Sequence, residues 1–389
     1  MSTSVGVIFG GRSVEHEVSI ITARQLMENI DKNKYKVVPI YISKQGDWYT
    51  GWELLRAETY RNLAKLPPYL TKVCLIPYPA KDNLIGVERG GLFKKSWNEH
   101  LDLVIPAVHG SHGEDGTLQG LLELADVPYV GSGVLGSALG MDKISMKAVL
   151  KEAGLPIVDY LWFTRSQWET EPETVMTSIE SRLGYPVFVK PSDLGSSIGV
   201  KKVARRDDLA FALDVAGTYT RRLLVEKAVE DCIEINCSLL GDESDCQPSV
   251  CEQPITWQEF LTYEDKYLRG GSKQGMAGTK RQIPAPISEA LTKQIQQMAV
   301  SAFKTLACRG VARVDFLVPT KTGRPFINEI NTIPGSFSFY LWEAQGLKFP
   351  QMIDKLIELA LKSHQIKQQT TFSMAGNLIQ PGFKLGGKG

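Results

Sequence analysis

The chain has no stretch approaching the roughly 18 uninterrupted apolar residues of a membrane-spanning helix, so no membrane association is expected. It also lacks a polybasic block. Its 44 basic and 43 acidic residues leave a formal net charge of +1, and nucleic acid is not an expected partner. Cysteine is sparse, six in 389 residues with no C-x-x-C pair, and there are only five histidines. A zinc site is therefore not expected, and the cysteines read as reduced thiols. No basic n-region or small-residue cleavage site precedes the first apolar run, VGVIFGG, and a cytoplasmic location is the expectation. The phosphate-binding signature GxxxxGK[ST] is absent, which excludes a P-loop enzyme. GGRS at residues 10–13 is not GxGxxG, and the second predicted strand lacks the terminal acid that a nicotinamide ribose needs. A dehydrogenase remains only as the alternative from another class.

What is present is an ordinary globular composition, 43% hydrophobic and 22% charged, long enough for two or three domains. The first third alternates strand and helix. Residues 5–9 and 37–42 read as strands around a helix at residues 17–30, with another strand at 103–108. This rhythm predicts a parallel α/β sheet. Residues 51–97 have no clear pattern. A helix is expected over residues 141–153, stopped by Gly154 and Pro156. Strands follow at residues 157–163, 187–190, 198–203 and 223–228, and then at 234–240. Residues 256–282 form a long polar stretch that reads as a lid. A helix (288–306), a hairpin (312–330) and a last helix (351–362) complete the chain. The predicted organisation is an α/β unit at 1–131, α+β units at 132–228 and 229–364, and a frayed tail from 365 to 389.

The hairpin is the most informative segment. If it folds about Thr322, Asp315 faces Glu329 and Arg313 faces Asn331, with all four on one face. Asp315, Glu329 and Asn331 then offer oxygen ligands suited to Mg²⁺, and Arg313 stands beside them to hold a phosphoryl group. Asn328 does not fit the alternation. A solvated polar sheet face would give the same pattern.

Lys190 ends an apolar strand, where it has no packing role, and leads into PSDLGSSIG. There Gly195 and Gly199 allow close backbone approach, and Ser196 and Ser197 supply hydroxyls, as in a phosphate-covering loop. A plain hairpin turn is the competing reading. Lys143 opens a predicted helix. Glu226 and Lys227 end a strand, and the acid could take ribose hydroxyls or simply be solvated.

These segments together are similar to the D-alanine–D-alanine ligases of the ATP-grasp superfamily. The resemblance rests on GGRSVEHEVS (10–19), HGSHGEDGTLQG (109–120), YVGSG (129–133), MDK (141–143), KPS…GSSIG (190–199) and NEINTIPG (328–335), and it spans most of residues 5–362. It implies an N-terminal parallel α/β domain followed by a two-part ATP-grasp fold. It also implies an acyl-phosphate made from ATP and a first D-alanine, then attack by the amine of a second. The expected product is D-alanyl-D-alanine for peptidoglycan synthesis. By matching position, Lys143, Lys190, Glu226 and Glu234 would contact ATP, with Ser197 and Lys227 beside them. Asp315, Glu329 and Asn331 would bind two Mg²⁺, with Mn²⁺ as an alternative. Arg313, Ser196 and the Gly335 backbone would hold the phosphoryl group. Glu15 would receive the first ammonium with His109 nearby, and Tyr263, Lys266 and Tyr267 match the family's closing loop. A homodimer is expected.

One segment departs from the pattern. After Gly335 the family continues through a Thr-Ser-x-Ser-like stretch with a proline. Here SFSFYLWEA follows, shorter by about four residues. Ser336 and Ser338 are expected to offer hydroxyls to the second substrate's carboxylate, with Lys266 as the opposing charge. A ligase with another acceptor, a hydroxy acid or a different amino acid, is the alternative. A catalytically silent ATP-binding module is disfavoured by the joint presence of Lys190, Arg313, Asp315, Glu329 and Asn331.

Overall fold

A computed structural model describes residues 2–62, 70–87, 97–255 and 281–372. Tyr263, Lys266, Tyr267 and nearly all of the predicted lid lie outside them. Three sheets organise the rest. The first contains β1 (Thr3–Gly10), β2 (Tyr35–Ile42), β3 (Trp48–Thr50), β4 (Thr71–Leu75), β5 (Leu84–Gly86), β6 (Asn98–Glu99) and β7 (Leu103–Pro106), in the order β6-β5-β4-β3-β2-β1-β7. β1 runs parallel to β2 and β7, but β2 to β6 pair antiparallel. The expected parallel sheet is thus its three-strand core. Residues 51–97, which showed no pattern, contribute short strands that extend the sheet into a mixed one.

Both faces of that core are covered, which is why β1 reads as one apolar run rather than an alternation. One face packs against α1 (His16–Asn29), the other against α2 (Thr117–Ala125), through Leu118 and Leu122.

α3 (Val134–Met141) and α4 (Lys143–Glu152) replace the single helix expected over residues 141–153. The break falls at Asp142, whose carboxylate caps α4 by accepting from the Ser145 N–H at 2.7 Å. That cap makes Lys143 the first residue of a helix whose N-terminus faces the site.

The second sheet holds β8 (Tyr160–Thr164), β9 (Val187–Pro191), β10 (Lys201–Val203) and β11 (Arg222–Lys227), all antiparallel, in the order β10-β9-β11-β8. α5 (Arg165–Thr170), α6 (Pro172–Arg182) and α7 (Leu209–Gly217) accompany it. Their apolar faces bury Trp168, Ile179 and Leu213 against Val187 and Val225.

The third sheet holds β12 (Cys232–Gly241), β13 (Cys246–Pro254), β14 (Arg281–Gln282), β15 (Gly310–Pro319) and β16 (Phe326–Asn331), in the order β14-β13-β12-β15-β16. α4 and α8 (Glu289–Thr305) back it through Met146, Leu150, Ile295 and Phe303. β13 had no sequence signal, because CQPSVCEQP carries two prolines. Pro248 is accommodated where the β12–β13 register shifts. After a left-handed turn at Gly335–Ser338, α9 (Phe339–Glu343) leads into α10 (Phe349–Gln368).

α10 returns to the first sheet, where Met352, Ile353 and Leu356 join the core containing Val5, Val7 and Ile105. It also runs past residue 365, where a frayed tail was expected. Lys367 pairs with Glu123 at 2.7 Å and Gln368 donates to Asp126 at 2.9 Å, so this turn is docked on α2.

Candidate active site

Two adjoining cavities lie where the three sheets meet. One, about 970 Å³ with its open mouth, is lined by Glu15, His109, Glu114, Lys143, Ser196, Arg313, Glu329, Asn331 and Gly335 among others. The second, about 1880 Å³, is lined by Lys190, Ser197, Glu226, Lys227, Glu234 and Asn328 over apolar side chains that include Val158, Phe188, Ile233 and Leu317. Lys143, Glu234, Pro254 and Glu329 border both. Most residues expected to act together are therefore brought together.

The larger cavity has a cationic edge built on one carboxylate. Glu226, on β11, is almost fully buried, and Lys147 sits 2.6 Å from one of its oxygens while Lys190 contacts the other. Burial pushes the Glu226 carboxyl up, but the two lysine charges outweigh it and hold it at about 2. Burial also pulls the Lys147 ammonium down, against the pull of Glu226. Glu226 is thus engaged by two lysines, and its structural role is to fix the Lys190 ammonium at the cavity wall. Lys147 drew no notice in the sequence. Its signal was an i, i+4 partner to Lys143 on a helix whose other inward positions are apolar.

Lys190 also donates to Asn328 Oδ1 at 3.3 Å. The hairpin alternation failed to place Asn328 because β15 and β16 carry a bulge there, with Asp315 opposite Glu329 but Phe316 opposite Ile327. The extra residue re-aims Asn328 toward Lys190 and the larger cavity. Around it the predicted register holds, with Arg313 opposite Asn331.

Arg313 grips Asp315 through two bonds, Nε to Oδ1 at 2.6 Å and Nη2 to Oδ2 at 2.7 Å, and Asn331 Nδ2 donates to Asp315 Oδ2 at 3.0 Å. Burial opposes the Arg313 charge, and the Asp315 carboxylate more than compensates, so its pKa stays above the ordinary value. Lys143 Nζ lies 3.4 Å from Glu329 and donates to the Leu194 carbonyl at 2.8 Å. It therefore ties the hairpin to the glycine loop.

Among the described residues no three His, Cys, Asp or Glu side chains are gathered into a metal cluster. The hairpin donors are two carboxylates and one carboxamide. That set fits in kind a hard cation that takes one or two carboxylates and completes its shell with water and phosphate.

Glu15 immediately precedes α1 just beyond β1, without a side-chain cap to the helix, where Gly10 allows the chain to turn. A Cβ on Gly10 would sit 2.2 Å from the Ile42 carbonyl oxygen. Ser196 Oγ donates to the Glu15 carboxylate across the cavity, and a Cβ on Gly195 would stand 2.9 Å from Glu15 Oε2. Ser196 and Ser197 both take positive φ, which turns this loop back over the cavity.

His109 is buried and its Nε2 lies 2.8 Å from Thr22 Oγ1, which itself accepts from the Ser336 N–H at 3.1 Å. Burial pulls the imidazole down to about 4, so it is neutral. Glu114, within the quoted HGSHGEDG motif but given no role, accepts from the N–H groups of Gly110 (2.7 Å) and Ile333 (3.1 Å). Burial first, and then the Glu15 charge, push its carboxyl up to about 8.

Two expected residues are elsewhere. Ser336, Phe337 and Ser338 all have φ between 51° and 55°, and this left-handed turn buries both serine side chains away from the cavity lining. A segment shortened by a few residues must reverse tightly, and it does so at roughly 1–2 kcal/mol of strain per residue. Phe337 anchors the turn in the main core.

A polar row crosses the third sheet in register: Glu329 on β16, Asp315 on β15, Asn236 on β12 and Glu252 on β13. Asn236, Glu252 and Arg281 line the smaller cavity, and none was singled out from the sequence.

Two antiparallel-paired sheets thus flank a lysine-edged cavity, with a carboxylate-bearing hairpin at the seam. Residues 4–132 match the family described as D-ala D-ala ligase N-terminus, and residues 149–358 match D-ala D-ala ligase C-terminus. A D-alanine–D-alanine ligase from Acetivibrio thermocellus is 42% identical over 374 residues, covering 92% of this chain and 96% of the relative. Among solved structures, the D-alanine–D-alanine ligase from Coxiella burnetii aligns with a TM-score of 0.78 at 32% identity, covering 95% and 96% of the two chains. The VanG D-Ala:D-Ser ligase from Enterococcus faecalis aligns at 0.78 and 33%, covering 92% and 100%. The chain belongs to the D-alanine–D-alanine ligase family and is an ATP-dependent ligase.

Proposed function

We propose that the chain joins two D-alanine molecules through an acyl-phosphate and so supplies a peptidoglycan precursor. The observation that carries this is the cavity pair. A lysine-edged nucleotide side meets, at Lys143 and Glu329, a compartment with an acidic amine seat and a buried arginine.

On this reading Glu15, fixed by Ser196, accepts hydrogen bonds from the donor's ammonium and leaves its carboxylate toward Arg313 and Gly335. A carboxylate is a poor electrophile until phosphorylated. Its oxygen takes the γ-phosphoryl group while ADP leaves. The acceptor amine then attacks the acyl carbon, and phosphate departs with the C–O electron pair. Lys143, Lys190 and Arg313 hold the phosphate charge as it moves, so the protein supplies position and electrostatics rather than a nucleophile. Asp315, Glu329 and Asn331 would hold Mg²⁺, which supplies charge neutralisation between phosphates. Asp315, which now grips Arg313 through two bonds, would serve as a ligand in place of that grip, and Arg313 would then turn to the phosphoryl group.

A second reading, a different acceptor, draws support from the withdrawal of Ser336 and Ser338 from the cavity. Mass spectrometry of products tests both, with D-alanine fixed and a second amino or hydroxy acid varied. D-alanyl-D-alanine is expected as the main product. A dominant conjugate with another acceptor would overturn the acceptor assignment and leave the ligase chemistry standing.

A further inference from the structure

The third sheet's polar row has two ends. At the β15–β16 end stand the groups already assigned to phosphate and metal. At the β13–β14 end stands a second arginine that the proposed mechanism does not use. Arg281, on β14 opposite Pro254, lines the smaller cavity. Its Nη1 donates to Glu252 Oε2 at 2.9 Å, and its guanidinium carbon lies 4.1 Å from the centre of the Tyr340 ring. The Tyr340 hydroxyl donates to Glu252 Oε1 at 2.9 Å, and Asn236 Nδ2 lies 3.3 Å from the same oxygen. Glu252 is only 1% exposed, so this acid, ring and amide form a rigid seat for the guanidinium. The Asn236 carboxamide oxygen, buried on the same wall, has no hydrogen-bond partner among the described residues.

Tyr340 belongs to the shortened segment. The left-handed turn that buries Ser336 and Ser338 also delivers Tyr340 to Arg281, so the segment removes hydroxyls and adds an aromatic platform for a cation. Glu252 lies two strands from Asp315, about 10 Å at ordinary strand spacing. A small amino acid whose amine faces the acyl-phosphate beside Arg313 would point its own carboxylate toward that wall.

We propose that Arg281, oriented by Tyr340 and Glu252, binds the acceptor's free α-carboxylate, and that Asn236 Oδ1 accepts from its amine. The assignment rests on the ligase reading above. A guanidinium fork fixed in plane matches a carboxylate in two-point fashion and discriminates against acceptors lacking one.

The test is a competition between acceptors. D-alanine and D-alaninamide, which cannot be a donor, are supplied together with ATP and Mg²⁺, and the two dipeptide products are weighed by mass spectrometry. In the unaltered enzyme the product with a free carboxylate should dominate. Arg281→Gln should lower that product ratio about 10–100-fold, the range for a hydrogen bond to a charged group. Tyr340→Leu, which keeps the arginine but removes its platform, should lower it by a smaller factor. A purely structural role would reduce both products together and leave the ratio unchanged, and that result in either soluble variant overturns the proposal. Failure of the unaltered enzyme to make either dipeptide would sink the ligase reading itself, a separate outcome.

Discussion

The two cavities differ in how their charges are arranged. Beside the larger cavity Glu226 is closed between Lys147 and Lys190 in a buried pairing. In the smaller cavity five carboxylates, Glu15, Glu114, Glu234, Glu252 and Glu329, share the lining with three cations, Lys143, Arg281 and Arg313. Burial and the Glu15 charge already push Glu114 toward its protonated form. The first compartment is built complete. The second has an excess of negative charge, which the proposed ammonium and divalent cation would relieve. On the proposed reading, a ligand would organise the smaller cavity and merely fit the larger.

The contrast breaks most directly at Glu329. Glu329→Gln keeps shape but removes charge from the proposed metal face. We expect kcat to fall by about 10²–10³, or roughly 3–4 kcal/mol of transition-state stabilisation, with an unchanged melting temperature. Steady-state phosphate release measures the first and calorimetry the second. Turnover within a factor of three would remove the hairpin from the chemistry.

Lys147→Met tests the other compartment and should behave oppositely. Removing one partner of a buried ion pair costs about 3 kcal/mol when the remaining charge has incomplete compensation, and Lys190 holds the loss near the low end of the usual range. Urea denaturation should show that loss, and KM for ATP should rise while KM for D-alanine stays within twofold. An unchanged stability would mean that Glu226 needs only Lys190.

How much of this could be read in advance follows the same division. The β15–β16 register and the glycine loop were legible because each sits on a short motif with a fixed period or a turn, whereas Glu15 was singled out only through the family resemblance. The bulge that seats Asn328 was not, since one extra residue leaves composition unchanged and shifts the alternation. β13, with its prolines, carried no strand pattern, so the strand that sets Glu252 beside Asn236 and pairs with the Arg281 strand was not visible. The serines after Gly335 were misplaced because hydroxyl chemistry was legible and the handedness of the backbone was not. Tyr263, Lys266 and Tyr267 lie outside the described residues.

The smallest expected effect is a pH dependence that should distinguish a strained substrate compartment from a neutral one. Glu114 is pushed up from 4.5 to about 8 by burial and by Glu15. The folded chain therefore holds this proton where the unfolded chain has released it. The resulting stability is complete below pH 4.5, declines between 4.5 and 8, and is lost as pH rises through about 8. His109, pulled down to about 4, acts with the opposite sign: its contribution is present above pH 6.5 and is lost as pH falls through about 4. Measurement between pH 6.5 and 8.5 therefore isolates Glu114. We expect the melting temperature of the ligand-free enzyme to drop by about 1–3 °C more across that interval than that of Glu114→Gln, which has no proton to lose. The variant should start from a lower melting temperature, because Gln has one acceptor oxygen where Glu114 uses two, one for the Gly110 N–H and one for the Ile333 N–H, so the slope and not the level is the readout. Saturating D-alanine should flatten the slope of the unaltered enzyme, since an ammonium against Glu15 offsets the charge that raises Glu114. Equal slopes in the two proteins would show that the Glu15–Glu114 pair carries no excess charge, and the contrast between the compartments would then rest on the hairpin alone.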